Sequence, residues 1–304
     1  MTHEHGHAHG RIAPDLLKSA EGIRALKWSL AGLLLTAGFQ VVVVTLSGSI
    51  ALLADTIHNF SDALTAVPLW VAFRLSCRPP SRRFTYGFGR FEDLAGLIIL
   101  LMILLSALVA GYEAVYRLLH PQPITQLAAV GAAALVGFAG NELVAQFRLK
   151  TGRRINSAAL IADGYHARVD GLTSLAVFLG AIGVYLGYPV VDPIVGLLIS
   201  LMIVAIVWQS GRDVLLRLLD GVEPHVIEEI TRFVGGRQFA GRVTAVKARW
   251  SGHCLGAEID VEVESGLSVA DAHAAADDIE QQLRDQFDFL HQVTVHIDPA
   301  QISS

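Results

Sequence analysis

The sequence is short of charged residues and of cysteine, and both shortages exclude classes of protein. Only 17% of its 304 residues are charged, whereas 53% are hydrophobic. Uninterrupted apolar runs of this length are typical of membrane spans and not of soluble domains. The two cysteines, Cys77 and Cys254, cannot form a disulfide framework, and their spacing fits no zinc ribbon or CxxC motif. We interpret them as two unpaired cytosolic thiols.

The chain also lacks a basic surplus and a cleavable leader. Its net charge is −5 and its basic residues stand in short loops, which excludes nucleic acid as a partner. The first apolar run begins near Trp28, and no small-residue cleavage site follows it. We therefore expect the first span to stay in the mature protein.

Six apolar stretches predict six membrane spans in a lipid bilayer. They lie at about 28–46, 50–75, 93–117, 125–147, 158–187 and 190–216. The connections after spans 1, 3 and 5 carry little charge, whereas arginine and lysine crowd the N-terminal tail and the loops after spans 2 and 4. The predicted loop after span 4 contains Arg148, Lys150, Arg153 and Arg154. This asymmetry places both termini in the cytoplasm.

Composition divides the chain into three parts. Residues 1–27 form a cytoplasmic tail with alternating histidines, which is either a loose metal-capturing segment or a disordered tail. Residues 28–218 form the six-helix transmembrane domain, and residues 219–304 form a soluble cytoplasmic domain.

The soluble part predicts an α-β-β-α-β order. The expected elements are 223–234, 243–250, 255–263, 268–287 and 292–297, with Ser268 as a helix N-cap. We expect a small α+β domain with an antiparallel sheet and its helices on one face.

One motif occurs twice, and each copy lies in a long apolar run. Residues 54–65 read ADTIHNFSDALT and residues 162–173 read ADGYHARVDGLT. In the first copy His58 and Asp62 are four residues apart, so they share a helix face. In the second copy His166 and Asp170 repeat this spacing. Ionisable side chains inside a span are costly and mark a site or pathway.

The two copies lie at matching depths in antiparallel spans. Asp62 and Asp170 are each twelve residues into their span. This is roughly 18 Å along a helix, near the middle of a hydrocarbon core about 30 Å thick. This symmetry predicts two inverted three-helix halves with a substrate site between them.

The residue types predict a metal site. Two imidazoles and two carboxylates form an N₂O₂ set that suits tetrahedral Zn²⁺, and two aspartates cancel its charge. The same groups bind protons when the site is empty, so metal and protons compete for it. The alternative is a pair of structural His–Asp hydrogen bonds joining the spans. Asp55 and Asp163 are expected to orient the histidines, with proton transfer and helix packing as alternatives.

At these residues the sequence resembles the cation diffusion facilitator family of divalent metal/proton antiporters. The HNxxD form at 58–62 is similar to the zinc-transporting branch, and segment 85–90 (TYGFGR) with Glu92 resembles another family motif. The resemblance implies a homodimer assembled through a metallochaperone-like C-terminal domain, and export of metal from the cytoplasm across a bacterial inner membrane.

The resemblance also bears on two further metal sites. Some members carry histidine where this chain has Phe84 and Phe88, so we do not expect that site. A cytoplasmic-domain site, reduced or altered, would use Asp260, His273, His296 and Asp298. The alternative is that His273 and His296 are surface histidines.

These patterns favour a transporter over two other classes. A metal-sensing membrane receptor would not need intramembrane ligands. An intramembrane hydrolase would need an open metal position beside a general base, and no HExxH motif is present. The expected substrate is Zn²⁺, with iron, cobalt, cadmium or manganese as alternatives. We therefore expect a transporter and not an enzyme.

Overall fold

The computed structural model describes residues 14–47, 66–120, 127–236 and 242–300. The first part is helical: α1 (Pro14–Ser47), α2 (Ala66–Ser76), α3 (Arg90–Leu119), α4 (Leu127–Ile155), α5 (Ala158–Tyr185) and α6 (Val191–Leu218). The second part contains α7 (Pro224–Gly235), β1 (Arg242–Ser251), β2 (Cys254–Val263), α8 (Val269–Gln286) and β3 (Leu290–Pro299).

Four described helices, α3 to α6, are long and apolar enough to cross a membrane. The first part of the predicted second span lies outside the described residues, and α2 contributes the 11 residues that follow it. Helix α1 has 34 residues and begins at Pro14, well before the predicted start at 28. The structure thus supports four of the six predicted spans by length and composition, and the full set of six stays a prediction.

Helix α4 runs further than the sequence predicted. It continues to Ile155, so the basic residues from Arg148 to Arg154 lie in its last turns and the predicted loop is wrong. Arginine and lysine are good helix formers, and the stretch contains no proline to end the helix. Asn156 then turns the chain with φ 59°, and the Ser157 hydroxyl caps α5 by accepting a hydrogen bond from the Leu160 amide at 3.1 Å.

The helices pack as closely associated pairs. Helix α6 is joined to α3 where the Ser200 hydroxyl donates to the Ala107 carbonyl at 2.7 Å. Helices α4 and α5 approach so closely that a Cβ built at Gly164 would lie 2.8 Å from Leu149 Cγ and 3.0 Å from its amide nitrogen. Glycine at position 164 therefore lets the second motif copy lie directly against the α4 backbone.

The predicted α-β-β-α-β order of the cytoplasmic domain is confirmed, but the expected antiparallel sheet is wrong. The strand order is β1-β2-β3; β1 and β2 are antiparallel, whereas β2 and β3 are parallel. Helix α8 connects β2 to β3, and such a helical crossover returns the chain in the same direction. The predicted cap is present, since the Ser268 hydroxyl accepts from the Asp271 amide at 3.2 Å.

The core of this domain lies between one face of the sheet and the two helices. Ile259 and Leu255 of β2 are fully buried with Ile230 of α7 and Leu283 of α8. Because side chains alternate along a strand, the even-numbered residues of β2 lie on the opposite face. That face carries Asp260.

We predict that Gly164→Val destabilises the protein by about 1–3 kcal/mol, because the new side chain must displace the α4 backbone. Thermal unfolding in detergent measures this. The control is Gly211→Val in α6, where no atom lies within 4 Å of an added Cβ. Equal melting temperatures for the two variants would contradict the close packing at Gly164.

Candidate functional site

The second motif copy lies in the buried face of α5. His166 and Asp170 are 2% and 6% exposed, and the His166 Nδ1 atom lies 3.9 Å from Asp170 Oδ1. The two groups stand one helical turn apart, as their spacing predicted. An imidazole and a carboxylate are thus held side by side in an apolar helix of 28 residues.

The first motif copy, with Asp55, His58 and Asp62, lies outside the described residues. Within the described ranges, no group of three or more histidine, cysteine, aspartate and glutamate side chains is gathered around one point. The four-residue intramembrane set therefore stays a prediction, of which the structure positions one half.

Asp163 has a partner that the sequence did not reveal. Its Oδ2 atom lies 3.1 Å from Nη1 of Arg148, and the two side chains are 0% and 1% exposed. Arg148 was predicted to lie in a loop, so this partner for Asp163 was missed. The expected role of Asp163, orienting a histidine, stays untested beside this ion pair.

The four cytoplasmic candidates are spread over two faces of their domain. Asp260 is paired in register with His296, whose Nε2 lies 3.3 Å from Asp298 Oδ1. The His273 side chain lies on α8 and is 70% exposed, and its Nε2 atom lies 3.6 Å from Asp277 Oδ2. Since α8 packs on the other face of the sheet, the sheet separates His273 from the remaining three within this chain. A cytoplasmic metal site stays a prediction.

The loop before α3 carries an aromatic cluster where some relatives of the resembled family carry ligands. The ring centroids of Phe84 and Phe88 are 4.9 Å apart, and both rings contact Phe91 at 6.0 Å. These side chains have no metal-binding atoms.

The tip of the β1–β2 hairpin docks on the start of α3, and this contact was not predicted. Glu92 and Asp93 are 1% and 2% exposed. The His253 Nδ1 lies 2.8 Å from Glu92 Oε2, and the Gly252 amide donates to Asp93 Oδ2 at 3.1 Å. The two acidic residues at the predicted start of an apolar span were the available sequence signal.

A second set of contacts surrounds this junction. The Arg217 guanidinium lies 4.3 Å from the centroid of the Trp250 ring and donates to the Asn156 carbonyl at 2.6 Å. Arg90 pairs with Asp220 and donates to the Arg217 carbonyl at 2.7 Å. The ends of α3, α4 and α6 are thereby tied to β1.

Two effects act on the charge of His253. Burial disfavours its charged form, but the Glu92 carboxylate and hydrogen bonds outweigh that cost and raise its pKa to about 11. His253 is therefore an imidazolium at neutral pH, and the junction contains a buried ion pair.

Comparison with known proteins matches both parts of the chain to family models. Residues 26–219 match the cation efflux transmembrane domain, and residues 222–300 match the cation efflux protein, cytoplasmic domain. A Mycobacterium tuberculosis protein named as a probable cation efflux system protein is 50% identical, with 100% of this chain and 97% of the relative covered. The manganese efflux system protein MneP of Bacillus subtilis is 25% identical, with 89% and 93% covered. A solved structure of the candidate zinc transporter CzrB covers 27% of this chain and all of its own, with 30% identity and a TM-score of 0.26.

We predict that His253→Gln destabilises the docked hairpin by about 3 kcal/mol or more, because it leaves Glu92 buried without a counter-charge. A raised pKa means that this stabilisation is complete below pH 6.5, declines between pH 6.5 and about 11, and is absent above that. The melting-temperature difference between wild type and variant should therefore shrink from pH 7 to pH 10. The control is His225→Gln at an exposed position. A difference that stays constant over this range would contradict the charged state of His253.

Proposed function

The chain belongs to the cation efflux family, also known as the cation diffusion facilitator family, and we propose that it exports Zn²⁺ from the cytoplasm in exchange for protons. Family membership makes it a divalent-cation transporter and not an enzyme. The identity of the metal and the coupling to protons are the finer parts of the proposal.

The buried pair of His166 and Asp170 is the observation that carries the proposal. Both side chains lie within a helix that is long and apolar enough to cross a membrane. Burying ionisable groups within a membrane span is costly, so His166 and Asp170 indicate a ligand-binding or transport role. A divalent cation is the ligand that an imidazole beside a carboxylate fits.

The complete site would combine this pair with His58 and Asp62 of the first motif copy. Two imidazole nitrogens and two carboxylate oxygens form a tetrahedral set suited to Zn²⁺. The two negative charges offset those of the metal, which limits the cost of holding it in a low-dielectric interior.

Manganese is the second candidate, because a relative at 25% identity is named a manganese efflux system protein. Carboxylate and water ligands suit Mn²⁺, whereas imidazole favours metals later in the series. Two imidazoles out of four ligands therefore favour Zn²⁺. A competition series of divalent metals in one liposome flux assay separates the two.

Proton exchange follows from the chemistry of the ligands. Histidine and aspartate bind metal only when deprotonated, so protons and metal exclude each other from the site. An empty site with two ionised carboxylates near mid-membrane is unfavourable. Protonation of the carboxylates removes this cost, so the transporter can return to the state that binds metal from the cytoplasm. An inward proton gradient then drives the metal outward.

We further propose a homodimer in a bacterial inner membrane, with both termini in the cytoplasm and contacts through the C-terminal domain. The match to the family's cytoplasmic domain supports the dimer. The basic residues in the last turns of α4 support the orientation, since such clusters remain on the cytoplasmic side.

Asp170→Asn and His166→Ala should each reduce Zn²⁺ flux in proteoliposomes by at least about 100-fold, because losing a direct ligand costs more than losing an outer partner of a ligand, which already costs about 10–100-fold. The control is Glu113→Gln in α3, whose carboxylate is 50% exposed and pairs with Arg117. Wild-type flux by Asp170→Asn would overturn the assignment of the site.

Zinc and proton movement should be coupled. In sealed vesicles at a clamped membrane potential, an inward pH gradient should drive Zn²⁺ out, and added Zn²⁺ should move protons in the opposite direction. Lowering the pH on both sides should weaken zinc binding, because protons and metal compete for the same ligand atoms. Zinc flux that neither moves protons nor responds to the pH gradient would show that the protein is a passive pathway and not an antiporter.

A further inference from the structure

We infer that Arg148 and Asp163 act as a charge-compensating pair that sets the metal affinity of the neighbouring His166–Asp170 pair without touching the metal. The inference rests on the proposed function and assigns both side chains as positioning residues of that site.

The pair is buried on both sides. Arg148 Nη1 lies 3.1 Å from Asp163 Oδ2, and the side chains are 1% and 0% exposed. Among the described residues, Nε and Nη2 of Arg148 and both carboxylate oxygens of Asp163 have no hydrogen-bond partner, so the contact between them is an ion pair without hydrogen-bond geometry. Asp163 therefore provides the counter-charge of the guanidinium, and losing either member leaves an uncompensated buried charge.

The helix places this pair beside the site. Asp163 precedes His166 by three residues, a spacing that puts two side chains on one helix face with Cβ atoms about 5–6 Å apart. The close approach of Leu149 to Gly164 brings the α4 backbone against α5 at this level. Arg148, adjacent to Leu149, thus reaches Asp163 where the two helices are in contact.

Charge compensation has a consequence for metal binding. With Arg148 present, the negative charge of Asp163 is cancelled locally, and the cation meets only the charge of its own ligands. Without Arg148, the Asp163 carboxylate would be ionised only when the cation is bound nearby, and this extra negative charge would strengthen metal binding and slow release. Without Asp163, a lone guanidinium would repel the metal, so the two losses act in opposite directions.

A second ion pair on α4 supplies a matched control. Arg154 pairs with Glu21 of α1, but these side chains are 65% and 34% exposed. Water screens such a pair, and its removal has little effect on charges elsewhere. Arg154→Met and Glu21→Gln therefore repeat the chemical changes without altering the buried charge.

The test measures Zn²⁺ affinity of the full-length protein in detergent, by competition with a fluorescent chelator, together with KM and Vmax in liposomes. Asp163→Asn should weaken affinity about tenfold and Arg148→Met should strengthen it about tenfold with a lower Vmax, as expected for a unit charge at this range. The double variant Arg148→Met/Asp163→Asn should return to within about threefold of wild type, and both control variants should match wild type.

The outcomes separate this inference from its alternatives. Weaker binding in both single variants would mean that the pair only holds the helices together. A double variant that stays weak would mean that Asp163 contacts the metal or His166 directly. Either result overturns the inference.

Three further variants keep the test decisive. If a neutral single variant does not fold, Arg148→Lys and Asp163→Glu retain both charges and should keep wild-type affinity, so a tenfold loss in either would overturn the inference. Asp170→Asn tests the site itself. Equal Zn²⁺ binding by Asp170→Asn and wild type would overturn the proposed function and the inference with it. If Asp170→Asn loses Zn²⁺ binding while Asp163→Asn and Arg148→Met change the Zn²⁺ affinity in the same direction, the inference is overturned and the proposed function is not.

Discussion

Leaving an ionised side chain without a partner in a low-dielectric interior is costly, and this constraint organises the described part of the protein. It operates at two places. Between α4 and α5 it pairs Arg148 with Asp163, and at the junction of the two domains it pairs Glu92 with His253. At both places the two partners come from different elements, so satisfying the charges also determines how the elements pack.

The domain junction connects the start of α3, where the TYGFGR segment ends, to the sheet of the C-terminal domain. The β1–β2 hairpin contributes an imidazolium and a backbone amide to two buried carboxylates at the start of α3. Around it, Arg217 stacks on Trp250 and reaches the α4–α5 turn through the Asn156 carbonyl. A displacement of the C-terminal domain would therefore act directly on the ends of α3, α4 and α6 that contact it.

Helices α4 and α5 combine three features in a short length of chain. Gly164 removes the side chain that would separate the helices, Ser157 caps the start of α5, and Asp163 finds its counter-charge on α4. His166 and Asp170 follow within two turns. The described half of the proposed metal site, His166 and Asp170, is thus built on a closely packed helix pair and not on a loop.

Periodicity and residue chemistry in the sequence were enough to predict the long apolar helices, the α-β-β-α-β order and the shared face of His166 and Asp170. These are local properties, because spacing along one helix or strand determines them. Two features depended on the tertiary structure: the parallel pairing of β2 with β3, and the partners of Asp163 and Glu92. Each joins residues that are far apart in the chain or follows from a crossover, whereas the extension of α4 through its basic residues is a local property that the sequence prediction missed. No local pattern encodes which distant side chain will neutralise a buried charge, and the packing of the elements decides it.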